Sequence, residues 1–152
     1  MRRAQQLVLI QFALFVAIAI SFFVLPRWPA GPLTWIGFAL ILAGLALGFW
    51  AISEHRRASG HGPNVLPIPA ERGALVTSGP YAQIRHPIYT GVLGCALGAA
   101  LVHGHWLLFV LAFALLLLFT AKSAYEEELL TLRYRGEYEA YQRRTGRFVP
   151  RL

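Results

Sequence analysis

Four apolar runs divide the chain, and the polar positions collect between and after them. Residues 7–25 are broken only by Gln11 and Ser21, and as a helix of 19 residues they extend about 28 Å, close to the hydrocarbon thickness of a bilayer. A Pro and Gly cluster, Pro26, Pro29, Gly31 and Pro32, turns the chain into a second run, 33–52, with Trp35 and Trp50 near its ends as interfacial aromatics. Arg2 and Arg3 stand before the first run as in a signal peptide, but no small-x-small cleavage site follows it, so it reads as a retained helix. Two shorter runs, 87–102 and 106–121, are separated by His103-Gly104-His105 and predict a hairpin with arms of about 24 Å each. Between the second and third runs, 53–87 alternates charged residues with Gly and Pro and has no hydrophobic period, as expected of a segment in water or headgroups. After Lys122 the sequence is charged yet helix-favouring, with Leu130, Tyr134, Tyr138 and Tyr141 on one stripe. It predicts that the fourth helix continues into water or is followed by an interfacial helix ending near Gly146. The expected fold is therefore all-α: an integral membrane unit over 1–152 with four transmembrane helices and a C-terminal helix.

Composition sharpens this. The chain is 57% hydrophobic and only 14% charged, with mean hydropathy +0.53, which excludes both an ordinary soluble globule and a disordered chain. The net charge of +7 would suggest nucleic acid in a polar protein, but the basic residues here border apolar runs and fit anionic headgroups and membrane topology. With four spans, the N-terminus, middle loop and C-terminal segment share one side and hold every Lys and Arg but Arg27, 14 − 1 = 13, so that side is expected to be cytoplasmic. A multi-pass protein of a prokaryotic inner membrane with both termini inside is the resulting expectation. All seven acidic residues, Glu54, Glu71, Glu126, Glu127, Glu128, Glu137 and Glu139, fall on the same side. Cys95 lies among small residues and reads as packing, as do Gly44 with Gly48 and Gly94 with Gly98. His103 and His105 lack a third ligand and read as interfacial polar residues, so no metal is assigned.

The chemistry-bearing residues gather in two stretches, 79–89 before the third helix and 125–128 after the fourth, which an antiparallel hairpin brings to one membrane face. Pro87 suits the first helical position and keeps His86 extended, leaving Arg85-His86 just outside a helix N-terminus, where anions are favoured. Arg85 supplies a fork of donors for a carboxylate or phosphate; Glu126 to Glu128 supply acceptors for an ammonium or a diol. The same residues also fit a purely topological role, with Arg85 a headgroup anchor, Tyr81 and Tyr89 interfacial aromatics, and the glutamates a charged helix end paired with Lys122 or Arg133.

The wording of these stretches carries more. Leu75-Val76-Thr77-Ser78-Gly79-Pro80-Tyr81, then Arg85-His86-Pro87-Ile88-Tyr89-Thr90-Gly91, then Glu126-Glu127, Tyr138, Tyr141 and Arg147-Phe148-Val149-Pro150 resemble the isoprenylcysteine carboxyl methyltransferase and phospholipid methyltransferase superfamily of membrane enzymes. The resemblance covers residues 60–150, with the first two helices matched only in hydropathy. It implies S-adenosylmethionine held at the cytoplasmic face by segments 60–89 and 122–150, through Tyr81, Arg85, His86, Tyr89, Gly91, Glu126 and Glu127. It further implies a lipophilic acceptor, an isoprenylcysteine-like carboxylate or a lipid head group, entering from the bilayer, and no nucleic-acid partner. Arg85 would orient an anionic acceptor and Glu127 would deprotonate an amine. One departure is visible: the family's aromatic-glycine pair is here Tyr134-Arg135, with the glycine one place later at Gly136. Counted from Tyr134 the paired carboxylates are Glu126 and Glu127; counted from Gly136 they are Glu127 and Glu128.

Two other classes compete. A membrane reductase of related fold would bind NADPH through similar C-terminal residues but is usually much longer. A small transporter or structural membrane protein would carry ionisable groups inside its spans, and the four apolar runs contain none.

Overall fold

The computed structural model describes residues 2–66 and 74–151; Glu71 and Arg72 of the middle loop lie outside the described residues. Helices form where the apolar runs predict them, and each long one continues past its run on the side bearing the termini. Helix α1 spans Arg2–Val24, α2 Pro32–Ser59, α3 Pro87–His103, α4 Trp106–Tyr134 and α5 Gly136–Arg144. Helices α1, α2 and α4 are long and apolar enough to cross a membrane, and α3 is a shorter apolar helix of 17 residues.

The expected loop beginning at Ser53 starts later, because hydropathy marks where the membrane ends and not where a helix ends. Glu54 and Arg57 pair one turn apart at 2.8 Å, and Arg56 and Arg57 occupy the last turn, where cations offset the helix dipole. The fourth helix likewise runs on to Tyr134, so both forms of the C-terminal expectation hold: α4 continues, and α5 follows. The break between them is Arg135, at φ +49°, a left-handed conformation that ordinarily favours glycine. The turn thus falls directly after Tyr134, although the glycine stands one residue later. The short α5 has Glu137 and Glu139 in its first turn and Arg143 and Arg144 in its last, both matched to the dipole.

Large apolar side chains such as Phe23, 80% exposed, and Trp35, 75% exposed, point outward, as they do when lipid surrounds a bundle. Lipid tails are as apolar as leucine, so helices associate through close backbone packing. The α2–α3 pair shows this. A Cβ on Gly37 would lie 2.7 Å from the Gly98 carbonyl oxygen, and one on Gly44 would lie 2.5 Å from that of Gly91. Both pairs are seven residues apart, about two turns, so antiparallel helices touch at two glycine crossings on one face. The closest partners are Gly37 with Gly98 and Gly44 with Gly91 across the two helices, whereas sequence spacing pairs Gly44 with Gly48 and Gly94 with Gly98 along them.

On the other flank α4 packs against α1 and α3, with Leu115, Leu118 and Phe119 meeting Leu14, Phe15 and Ile18. At the end away from the termini, the Trp28 N–H donates to the His103 carbonyl at 3.1 Å. His103, expected as an interfacial polar residue, is fully buried with its ring 5.3 Å from that of Phe22. The reason is the tight turn: Gly104 in the left-handed region folds His103 inward while His105 caps α4, its Nδ1 accepting from the Leu107 N–H at 3.2 Å.

Candidate functional site

The site is assembled by a backbone splice. Pro87 opens α3 and leaves the preceding residues extended, so the Arg85 N–H donates to the Gly146 carbonyl at 2.8 Å and the His86 N–H to that of Arg147 at 3.1 Å. In return the Gly146 N–H donates to Gln83 at 3.0 Å, and the Thr90 hydroxyl to Phe148 at 2.8 Å. Gly146 has no room for a side chain, since a Cβ would lie 1.7 Å from the Val149 carbonyl oxygen. The buried Tyr141 hydroxyl donates to the Tyr81 carbonyl at 2.6 Å, fastening α5 over the 3₁₀ turn Gly79–Ala82. From α2, Glu54 accepts from the Ser78 hydroxyl and fixes the start of that turn.

Glu127 stands at the centre. Its Oε1 accepts from Arg85 Nε at 2.9 Å, His86 Nε2 at 3.1 Å and Arg147 Nε at 3.2 Å, and its Oε2 from Arg147 Nη2 at 2.8 Å. Gln142 Nε2 adds a longer contact at 3.4 Å. Arg85 also donates from Nη1 to the carbonyls of Thr145 and Gln142, so its Nε and Nη1 are engaged by the protein itself. The Arg147 guanidinium is held more firmly protonated than usual, chiefly by its hydrogen bond to Glu127. A carboxylate with this many charge-assisted donors acts as a clamp between α4, the 83–86 segment and the C-terminal tail.

Glu126, next along α4, serves differently. Its Oε2 accepts from the Tyr89 hydroxyl at 3.1 Å and lies 3.7 Å from His86 Nδ1, and its side chain is 28% exposed. The His86 ring lies parallel to Tyr89 with centroids 5.4 Å apart, and Tyr89 stacks on Phe119 at 4.5 Å. The result is an aromatic wall running from the membrane core to the polar end. Glu128 faces outward and is exposed.

This wall borders a cavity of about 390 Å³ lined by Tyr81, Arg85, His86, Tyr89, Glu126, Tyr138 and Tyr141, together with Gln11 and Lys122. Five of the seven expected site residues therefore meet there. Glu127 sits behind the wall, and Gly91 is turned toward α2, a Cβ on it lying 2.6 Å from the Gly44 carbonyl oxygen. Burial raises the phenols of Tyr81, Tyr138 and Tyr141 above the usual tyrosine range, so all three remain hydroxyl donors. Tyr138 is almost fully buried, and its hydroxyl has no hydrogen-bond partner among the described residues. Such a group is costly unless a ligand or water completes it.

Sequence reasoning missed the partnership of Lys122 and Gln11, in which the ammonium donates to the Gln11 amide oxygen at 2.6 Å. Each is visible alone, Gln11 as a polar break in an apolar run and Lys122 as the first charge after one, but 111 residues separate them. Arg147 and Gln142 were equally hidden as partners of Glu127. Among the described residues no three His, Cys, Asp or Glu side chains are gathered as metal ligands.

Comparisons with known proteins place the chain in a family. Residues 33–137 match the model of the family described as phospholipid methyltransferase. The nickel-cobalt-cadmium resistance protein NccN of Alcaligenes xylosoxydans xylosoxydans is 36% identical over 78% of this chain and 54% of its own length. The cobalt-zinc-cadmium resistance protein CzcN of Cupriavidus metallidurans is 40% identical over 54% of this chain and 38% of its own length. The protein-S-isoprenylcysteine O-methyltransferase of Schizosaccharomyces pombe is 32% identical over 69% of this chain and 48% of its own length. The chain thus spans about half the length, or less, of these relatives. With its apolar helices, its glycine-packed bundle and a matched region that takes in α2, α3 and α4, the chain belongs to the phospholipid methyltransferase family of membrane proteins.

Proposed function

We infer that the protein transfers a methyl group from S-adenosylmethionine to a lipophilic acceptor, using the cavity at the end of the bundle that carries the termini. The observation that carries this reading is the cavity itself: His86, Tyr89, Glu126 and the unpartnered Tyr138 hydroxyl converge on it from three helices. The donor requires acceptors for an ammonium and a ribose diol, a donor for polar oxygens, and a flat apolar wall for adenine. Glu126, the Tyr138 hydroxyl and the His86–Tyr89–Phe119 stack supply these in turn. When bound, S-adenosylmethionine supplies an already activated methyl group on a sulfonium. The protein's part is then to exclude water and hold the acceptor in line. The clamp on Glu127 makes the site rigid, which keeps that alignment. Residues 1–152 act in this reading as one membrane-embedded unit, and the face bearing the site is cytoplasmic because it holds all but one of the basic residues.

A thermal-shift comparison in detergent tests the reading. S-adenosylhomocysteine should stabilise the protein by about 2.7 kcal/mol at a hundredfold excess over its Kd, and NADPH should not. A response to NADPH alone would replace the methyltransferase with a reductase. Within the same assay, Tyr138→Phe should leave the unliganded protein as stable as the wild type, because among the described residues the hydroxyl has no hydrogen-bond partner to lose. Its affinity for S-adenosylhomocysteine should fall about tenfold, the value of one hydrogen bond. Unchanged affinity would move the cofactor away from Tyr138.

A further inference from the structure

We propose that His55 and His61, at the mouth of the cavity, bind one divalent metal ion of the imidazole-preferring class, such as Ni²⁺, Co²⁺ or Zn²⁺. The proposal does not depend on the methyl-transfer reading. The pair forms where α2 ends. Gly60, at φ +76°, donates its N–H to the Arg56 carbonyl at 3.0 Å and turns the chain back, so that His61 returns beside the last turns of α2. Its ring then lies 6.0 Å from that of His55, and both residues line the cavity. With metal–nitrogen bonds of about 2.0–2.1 Å, two imidazoles on one ion place their ring centres at most about 6.4 Å apart, so the observed separation is within reach.

The hydrogen bonds around His61 set the tautomer that ligation needs. Its Nδ1 lies 3.3 Å from the Gly62 carbonyl oxygen, which can only accept. It also lies 3.5 Å from the Ser59 hydroxyl oxygen, whose own proton is directed to the carbonyls of His55 at 2.7 Å and His61 at 2.8 Å. Nδ1 therefore carries the hydrogen and Nε2 the lone pair, as in metal-binding histidines whose other nitrogen donates to a backbone carbonyl. The His55 ring makes no hydrogen bond among the described residues and lies between the rings of His61 and Tyr81, the latter at 6.0 Å. Glu54 is held by Arg57 and Ser78, so the donor set is imidazole nitrogen, which selects against Mg²⁺ and Ca²⁺. His61 is exposed, and water can fill the remaining coordination positions. The pair at the far end of the bundle lacks both properties: His103 is fully buried, and His105 Nδ1 accepts from the Leu107 N–H, which leaves the proton on Nε2.

The test uses the full chain in detergent, without a histidine tag and stripped of metal by a chelator, and titrates it with Ni²⁺ in a calorimeter. One ion should bind per chain, and an excess of about a hundredfold of Mg²⁺ should not displace it. His55→Gln and His61→Gln should each weaken binding by about tenfold or more, whereas His105→Gln should leave it unchanged. A second measurement needs no variant to fold. Carbethoxylation by diethyl pyrocarbonate, read residue by residue in a mass spectrometer, should be suppressed by Ni²⁺ at His55 and His61 together and be unaltered at His105. Absence of saturable Ni²⁺ binding by the wild type would overturn the proposal. So would binding that survives both substitutions, or protection of only one of the two rings.

Discussion

Replacing Glu127 with alanine should cost the protein both its fold at the terminal face and its ligand. The side chain is 6% exposed and holds Arg85, whose own side chain is 11% exposed, at 2.9 Å. Removing one partner of a buried ion pair leaves the other charge desolvated and costs about 3–5 kcal/mol. Arg147, at 36% exposure, recovers solvation and adds little. In a chain of this size the loss corresponds to a drop of about 10 °C in melting temperature. Binding of S-adenosylhomocysteine should disappear with it, because the Arg85–Glu127 contact aligns the 83–86 segment against the C-terminal tail. Arg147→Met should be mild by comparison, below about 1 kcal/mol. A melting temperature for Glu127→Ala equal to that of the wild type would show that the backbone splice holds the site without the carboxylate.

That expectation differs from what the sequence alone supports. As a polar residue outside the apolar runs, Glu127 reads as a ligand-binding group whose loss would spare the fold. Its structural part depends on Arg147 and Gln142, 20 and 15 residues away, and on Arg85, 42 away, and no local pattern encodes which of several nearby carboxylates they choose. Helix existence was legible because burial in lipid demands long apolar runs, and those runs are local in sequence. Helix ends were not: α2 passes Ile52 by a full two turns because Glu54, Arg56 and Arg57 stabilise a helix in water as well as apolar residues do in lipid. The position of the α4–α5 break was partly legible. The sequence marks an irregularity there, with the family's glycine displaced from position 135 to Gly136, and it is Arg135 that adopts the glycine-like conformation. With the turn at that point, Glu126 and Glu127 face inward and Glu128 outward. Arg85 illustrates a partner set that sequence spacing does not encode: its Nη1 donates to the carbonyls of Thr145 and Gln142, 60 and 57 residues away.

Gly91 offers the sharpest separation of packing from binding. Its place in the Arg-His-Pro motif implies contact with the cofactor, whereas the structure turns it toward α2, where a Cβ would lie 2.6 Å from the Gly44 carbonyl oxygen and 3.1 Å from the Gly48 nitrogen. Both obstacles are backbone, so no neighbouring side chain can move aside, and Gly44 has none to give up. Gly91→Ala should therefore push α2 and α3 apart at this crossing and cost about 1–3 kcal/mol, as overpacking does. The crossing at Gly37 and Gly98 should keep the helices associated, so the variant remains folded at low temperature. Under those conditions its affinity for S-adenosylhomocysteine should stay close to that of the wild type, since Tyr89, Glu126 and Tyr138 stand on α3, α4 and α5, and the displaced α2 lines the cavity only through Ile52, His55 and Ser59. Gly91→Leu should lose binding as well, because a larger displacement of α2 carries Glu54 away from Ser78 and releases the turn that leads into Arg85 and His86. A melting curve and a binding isotherm on the alanine variant decide between the roles: lowered stability with intact affinity assigns Gly91 to helix packing, and intact stability with lost affinity would return it to the cofactor site.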